Sequence, residues 1–253
     1  MPTSPKSDPR WMLWLDNLAI AAWGVLILKY WLNGKLRILI HPAYSWLCVA
    51  AAIVFLFVSG WKSLQLWKHR RLPDVPQQHI SLFPPGWSSV LLLLAALAGL
   101  VVTPRPFTSQ VALERGVTDA LAITRIEPQS FRANLNPEER SIIDWTRTLS
   151  VYPEPDAYQG DPVDVVGFVI HAPDLPQNYF IVARFTITCC AADAYPVGLP
   201  VRLRDESRQT YPPDTWVRVR GEILSEVLQD RRQVAIAAEA IEPVPEPENP
   251  YSY

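Results

Sequence analysis

Long apolar stretches are confined to the first 104 residues, whereas shorter runs of strand-like pattern follow after residue 160. Three stretches, at about residues 11–32, 46–67 and 82–103, carry almost no charge. A helix needs roughly 20 apolar residues to cross a hydrocarbon core. Tryptophans stand near the ends of these stretches, where amphipathic rings favour the headgroup level of a bilayer. The pattern predicts a membrane domain over residues 1–104 with three transmembrane helices.

Five shorter runs between residues 161 and 243 are typical of β-strands. They alternate between apolar and polar positions or are rich in β-branched and aromatic residues, and they cover 163–170, 180–188, 197–204, 216–223 and 232–238. Three of them contain a glycine, which permits the strong bends of a small barrel. We expect an all-β, OB-like small barrel over residues 161–243, with a small sandwich as the alternative.

A connector and a tail complete the predicted domain organisation. Residues 105–160 form the connector, with a short helix at about 137–150. Asn136 is a good N-cap for that helix, and Pro137 suits its first position. The proline-rich segment 244–253 predicts a disordered tail.

Charge separates the two parts of the chain. Residues 1–104 hold nine Lys/Arg and three Asp/Glu, whereas residues 105–253 hold fourteen Arg, no Lys and twenty-two Asp/Glu. The acidic second part excludes a basic nucleic-acid binder. Basic residues gather before the first span and between the second and third: Lys6, Arg10, Lys62, Lys68, Arg70 and Arg71. By the positive-inside rule, we expect a protein of the cell (inner or plasma) membrane with a cytoplasmic N-terminus and an extracytoplasmic C-terminal domain.

One cluster of residues has the chemistry of a binding site. Cys189 and Cys190 are adjacent, and Asp193 follows three residues later. Adjacent Cα atoms lie closer together than disulfide geometry prefers, so a bond between these two cysteines would be strained. Two thiolates at a strand end suit a soft or borderline cation such as zinc or copper(I). Asp193 is the candidate third ligand, and His171 is the one histidine of the outer domain.

Two other interpretations of the cysteines stay open. Cys189 shares the strand parity of apolar residues such as Ile187, so both thiols could be structural. A redox or sulfur-transfer pair is the other alternative.

Several blocks of the chain resemble the YcgQ-like family of permease subunits. The resemblance rests on Gly34 with 41–42, 104–107, 152–154, Gly160, 165–169, 183–185, 189–194, 196–198, 214–217 and Gly221. The Cys-Cys-Ala-Ala-Asp-Ala block at 189–194 is the most specific element. The resemblance implies that this chain is a small partner of a larger multi-spanning permease, with a link to zinc supply. The family has no catalytic residues that could be assigned to positions of this sequence. We therefore expect that the protein is not an enzyme.

The leading functional hypothesis is therefore an accessory subunit of a membrane permease, held in the lipid bilayer. Its β-domain would bind or hand over a metal ion, zinc first, through Cys189 and Cys190. Three helices alone are too few for alternating access, which favours a subunit over a self-sufficient carrier. The alternatives are a membrane-anchored thiol or redox protein and an OB-type ligand-binding module without metal.

Overall fold

The protein is described here from a computed structural model, which covers residues 10–68, 86–117, 136–204 and 206–252. The chain divides into two compact units, Met1–Arg105 and Pro106–Tyr253, and each is treated by itself. Some sequence predictions fall outside the described residues: the start of the third span at 82–85, the middle of the connector at 118–135, and Lys6, Arg70 and Arg71 of the orientation argument.

The described part of the first unit is helical. Its helices are α1 (Arg10–Leu32), α2 (Leu36–Leu39), α3 (Ser45–Lys68) and α4 (Trp87–Val101). Two stretches, Arg10–Leu32 and Pro42–Lys68, are long and apolar enough to cross a membrane by length and composition. Helix α4 has 15 residues, which rise about 22 Å at 1.5 Å per residue and fall short of a core of about 30 Å. Two helices thus have the length that a span requires, and the third crossing stays a prediction.

Helix α1 packs against both α3 and α4. Gly24 allows the close approach to α3, since a Cβ at this position would lie 2.9 Å from Leu56 Cγ. The surface of the unit is unusually apolar. Of the 28 large hydrophobic side chains that are exposed in the described residues, 24 belong to this unit. Apolar surface of this extent marks contact with a membrane or another protein.

Polar side chains of α1 are paired across the helix contacts. Asp16 accepts a hydrogen bond from the hydroxyl of Ser89 on α4. Asn17 is only 3% exposed, and its Nδ2 donates to Ser63 Oγ on α3 at 2.7 Å. Such bonds in an apolar setting stabilise helix contacts modestly.

The second unit is an all-β domain with two short helices. The helices are α5 (Ser109–Arg115) and α6 (Ile142–Val151), and the strands are β1 (Pro162–Ile170), β2 (Tyr179–Thr186), β3 (Tyr195–Arg202), β4 (Trp216–Leu228), β5 (Arg231–Pro243) and β6 (Tyr251–Ser252). All five predicted strands are present, which confirms the all-β class. β4 and β5 extend beyond the prediction because they form one hairpin, whose turn residues Gln229 and Asp230 have φ of 54° and 59°. Positive φ at both positions matches the twist of a two-residue hairpin turn.

The strands form one six-stranded sheet in the order β1-β4-β5-β3-β2-β6, with an additional pairing of β1 with β2. The pairings therefore lead from β1 through β4, β5, β3 and β2 back to β1. β3 and β5 are parallel, whereas the other pairs in this circuit are antiparallel. Each of the first five strands is therefore hydrogen-bonded to two of the others, and the series of pairings closes on itself.

Helix α6 packs against β1, β2 and β3. Its residues Ile142 and Trp145 are 1% and 0% exposed and belong to the main core with the apolar face of the sheet. Gly167 of β1 makes room at this point: a Cβ there would lie 2.5 Å from the carbonyl oxygen of Ala183 and 2.9 Å from Ile142 Cδ1. A side chain at residue 167 would separate β1 from β2 and from the helix.

The short helix differs from its prediction over 137–150. Asn136 precedes only a 3-10 turn, Pro137–Glu139. The α-helix begins at Ile142, and Ser141 caps it by accepting from the Asp144 N–H. Because Ser141 and Asp144 cap each other reciprocally, this second start signal is stronger than the first.

The prediction of a disordered tail over 244–253 is wrong at its end, where Tyr251–Ser252 form a short strand, β6. β6 pairs in parallel with β2, with Tyr251 opposite Phe185, and Tyr251 is 2% exposed. The burial of one aromatic side chain, which composition does not reveal, docks the end of this segment on the sheet.

Candidate functional site

The two cysteines lie in the loop that joins β2 to β3. Thr186 ends β2 and Tyr195 begins β3, and these two residues are opposite each other in the strand register. The loop contains a 3-10 turn, Ala191–Asp193. The hydrogen-bonded strand pair thus closes the base of the loop and presents the cysteines at its tip.

Asp193 holds the loop in shape. Its Oδ2 accepts from the hydroxyl of Thr188 and from the Cys189 N–H at 2.7 Å, and its Oδ1 accepts from the Cys190 N–H at 3.2 Å. Burial alone would raise the pKa of this carboxyl, but these three hydrogen bonds and one from the Cys189 thiol outweigh it and lower the pKa below its usual value. Asp193 is therefore an ionised clamp for the two residues that carry the thiols.

The geometry of the thiols matches a shared cation. The two sulfur atoms lie 3.6 Å apart, and both cysteines are free. Two thiolates on one tetrahedral zinc ion, each at about 2.3 Å, would be about 3.8 Å apart. The ligand atoms of Cys189, Cys190 and Asp193 all lie within 4.8 Å of one another. The arrangement can offer two sulfur ligands and one oxygen ligand on one side of an ion.

The thiol of Cys189 is exposed and weakly acidic. Its hydrogen bonds to Asp193, first, and to Cys190 raise its pKa to about 11. This thiol is therefore protonated at neutral pH, so a metal ion must displace its proton on binding. A raised pKa is the opposite of what an activated, nucleophilic cysteine needs.

His171 is not brought to the cysteine loop. It follows β1, whose last residue Ile170 is opposite Ile181 near the start of β2. The loop begins after Thr186, and residues 181 and 186 are about 16 Å apart along a strand at 3.3 Å per residue. His171 Nε2 instead donates to the carbonyl oxygen of Tyr211 at 2.8 Å. The ligand set expected from the sequence thus loses its histidine, because strand register places this residue at the other end of β2.

Two contacts of the loop were not identified from the sequence. The hydroxyl of Thr188 is a donor to the Asp193 carboxylate, and Arg115 of α5 donates to the carbonyl oxygen of Ala194. The contact of Thr188 could have been predicted from the sequence, since a hydroxyl five residues before an acid can reach the carboxylate across a tight loop. The contact of Arg115 spans 79 positions, and nothing in the local pattern indicates it.

The chain has the features of a membrane protein with a folded β-domain. The first unit contains two helices of spanning length, and the second unit is the β-domain. Residues 133–253 match the family described as the DUF1980 C-terminal domain. The chain is also similar to a protein of Streptococcus mutans serotype c that is named "Putative two-component membrane permease complex subunit". The two sequences are 23% identical over 274 aligned residues, which cover 93% of this chain and 97% of the relative. These similarities support the permease-subunit family in its broad sense and do not single out its YcgQ-like members.

Proposed function

We propose that this chain is a non-enzymatic accessory subunit of a membrane permease complex whose β-domain binds or hands over a metal ion, zinc first, through Cys189 and Cys190. The observation that carries the metal proposal is the sulfur separation of 3.6 Å beside the carboxylate of Asp193. The similarity to a protein named as a permease complex subunit supports the complex. The exposed apolar helices of the first unit suit the lipid bilayer and a larger multi-spanning partner.

The proposed arrangement places three spans in the cell membrane, the N-terminus in the cytoplasm and the β-domain outside. The basic residues before the first span and between the second and third support this orientation. The β-domain would be an OB-like barrel, which the circuit of pairings through β1, β4, β5, β3 and β2 supports. The length of α4 leaves the third crossing to be tested by accessibility labelling at its two ends.

The coordination chemistry favours transfer over permanent storage. A structural zinc site has four protein ligands, whereas three protein ligands leave one position open. The carboxylate of Asp193 offers about four lone-pair positions. Donors from the loop backbone and Thr188 occupy three of them, and the Cys189 thiol donates to the carboxylate as well. When a metal ion displaces the thiol proton, the position that this proton held becomes available to the ion without loss of the other three bonds. The loop would then hold an ion by Cys189, Cys190 and Asp193 and leave its fourth position for water or an incoming ligand.

The test is a zinc titration of the full chain, purified in detergent and kept reduced, against a chelating dye. We expect one zinc ion per chain, and loss of binding in both Cys189→Ser and Cys190→Ser. Cys48→Ser is the matched control, because Cys48 is also a free cysteine but belongs to α3. Equal zinc binding by all four proteins, with folding verified by circular dichroism, would refute the metal site. Copper(I) in a parallel titration identifies the preferred ion.

The thiol-redox alternative is less well supported, since the pKa of Cys189 is raised to about 11. A slow reaction of the wild-type thiols with a mild disulfide reagent at neutral pH would agree with the metal proposal. Rapid reversible oxidation without zinc binding would replace that proposal by the redox one.

A further inference from the structure

Arg115 joins helix α5 to the cysteine loop. It lies in the last turn of α5, and its guanidinium donates a hydrogen bond to the carbonyl oxygen of Ala194. The same guanidinium lies over the ring of Phe107, 4.7 Å from the ring centroid. Ala194 is 2% exposed and directly follows Asp193, the carboxylate of the candidate metal site. Arg115 therefore acts on the residue next to the proposed oxygen ligand.

Helix α5 is a fixed support for this side chain. The Ser109 N–H donates to Asp214 Oδ1 at 2.5 Å, and Ala112 is 0% exposed. Just before the helix, the Phe107 N–H donates to the hydroxyl of Tyr251 at 3.1 Å. Helix α5 also contacts β1 and β3. The position of the guanidinium is thus set by the β-domain and not by the loop.

Ala194 is the residue at which the turn of the cysteine loop changes into strand β3. The 3-10 turn Ala191–Asp193 precedes it, and its own backbone is extended, with φ of −61° and ψ of 129°. Its carbonyl oxygen accepts from a charged donor, which makes a stronger hydrogen bond than a neutral one. A fixed carbonyl at Ala194 restrains the backbone immediately after Asp193, and Asp193 in turn clamps the two residues that carry the thiols.

The role of Arg115 differs from that of a surface ion pair. Eight ion pairs with a carboxylate are formed within the described residues, and Arg115 takes part in none of them. Its planar guanidinium is used as a donor to a carbonyl and as a cation over an aromatic ring. A lysine ammonium, which is a compact point charge, does not reproduce that pair of contacts.

We propose that Arg115 is a positioning residue of the metal site, which keeps Asp193 available as the oxygen ligand and thereby favours zinc over copper(I). The inference rests on the proposed metal function and deepens it. Zinc is bound by sulfur, nitrogen and oxygen ligands, whereas copper(I) selects soft thiolate and thioether ligands. Displacement of Asp193 should therefore weaken zinc binding and leave copper(I) binding by the two thiols in place.

The experiment compares the zinc and copper(I) affinities of the full chain, purified in detergent and kept reduced, by competition with chelators. We expect zinc binding about tenfold weaker in Arg115→Gln, because a hydrogen bond from a charged donor is lost, and unchanged copper(I) binding. Arg115→Lys keeps the charge and a donor but not the planar group, so its zinc affinity should be intermediate. Arg204→Gln is the control, because the Arg204 side chain is 70% exposed, and both affinities should equal those of wild type.

Two further comparisons separate positioning from general support of the fold. In an Asp193→Asn background, Arg115→Gln should cause no additional loss of zinc affinity, since Arg115 acts through Asp193. In the metal-free protein, hydrogen exchange at the Cys189 and Cys190 amides should be faster in Arg115→Gln, because these N–H groups donate to Asp193. Peptides from the β4–β5 hairpin should exchange as in wild type.

Each result decides the inference. Equal zinc affinities of wild type and Arg115→Gln would overturn it and leave the metal site standing. Equal losses of zinc and copper(I) affinity, or losses in Arg115→Gln and Asp193→Asn that simply add, would also overturn it. If Arg115→Gln does not fold, Arg115→Lys carries the same comparison. No zinc binding by the wild-type chain would overturn the proposed function, and this inference with it.

Discussion

Replacing Tyr251 by alanine should release the C-terminal strand from the β-domain. The ring of Tyr251 stacks on Phe107 at a centroid distance of 5.9 Å and meets Phe185 edge-on at 6.2 Å. Its hydroxyl accepts a hydrogen bond from the Phe107 N–H at 3.1 Å. This one side chain therefore connects β6, β2 and the segment before α5.

The expected loss follows from this burial. Truncating a fully buried aromatic ring to alanine costs about 3–5 kcal/mol. β6 is only two residues long and can detach without unfolding the rest, so we expect the lower figure, about 3 kcal/mol, or about a 150-fold increase in local opening. Tyr251→Phe keeps the ring and loses one hydrogen bond, which costs about 1 kcal/mol, or about fivefold.

Hydrogen exchange followed by mass spectrometry measures this opening within the full chain. The informative peptides contain Ile187, whose N–H donates to the carbonyl oxygen of Ser252 at 3.2 Å. Exchange there should accelerate strongly in Tyr251→Ala and weakly in Tyr251→Phe, while peptides from the β4–β5 hairpin stay protected. Unchanged exchange at Ile187 in Tyr251→Ala would show that the tail is not docked and would refute the reasoning.

Three further predictions concern stability. The hydrogen bond from Arg218, chiefly, lowers the pKa of Asp164, so their pairing is fully effective above the unfolded pKa of about 4 and is lost as the pH falls below it. A urea titration should therefore show Asp164→Asn less stable than wild type by about 1 kcal/mol at neutral pH, with a difference that shrinks in acid; a constant difference would contradict this. Gly221→Ala should lower the free energy of unfolding by about 1–3 kcal/mol, because its Cβ would meet the carbonyl oxygen of Ala237 at the bulge in β4; an unchanged urea midpoint would contradict the close approach. Asn17→Leu should lower the thermal stability of the helical unit by about 0.6 kcal/mol, and a gain in melting temperature would show that its buried hydrogen bond is not needed.

The existence of the strands could be predicted from the sequence, but their neighbours could not. Runs such as 216–223 alternate so regularly that only a strand fits the pattern. The parallel pairing of β3 with β5 joins Val201 to Ile236, and no local pattern encodes a contact over that separation. The docking of the tail depends in the same way on one buried side chain, Tyr251, packed on distant partners.

Some residues of the candidate site could likewise be predicted from the sequence, and others could not. Cys189, Cys190 and Asp193 lie within five positions, so a tight turn brings them together whatever the rest of the sheet does. His171 was assigned by residue type alone, and its position depends on the register of β1 against β2. Sequence reasoning therefore succeeds for local chemistry and fails where the tertiary fold assembles the groups.

The tip and the base of the cysteine loop are held by different contacts. The clamp formed by Asp193 uses backbone N–H groups and one hydroxyl of the same loop, so the cysteines can rearrange around an ion without disturbing the sheet. The base of the loop is fixed by the pairing of Thr186 with Tyr195 and by the packing of α6. A change of ligands at the tip is thus compatible with a rigid base. That combination is what a domain that hands over an ion requires, since tight permanent coordination by a fully rigid site would oppose release.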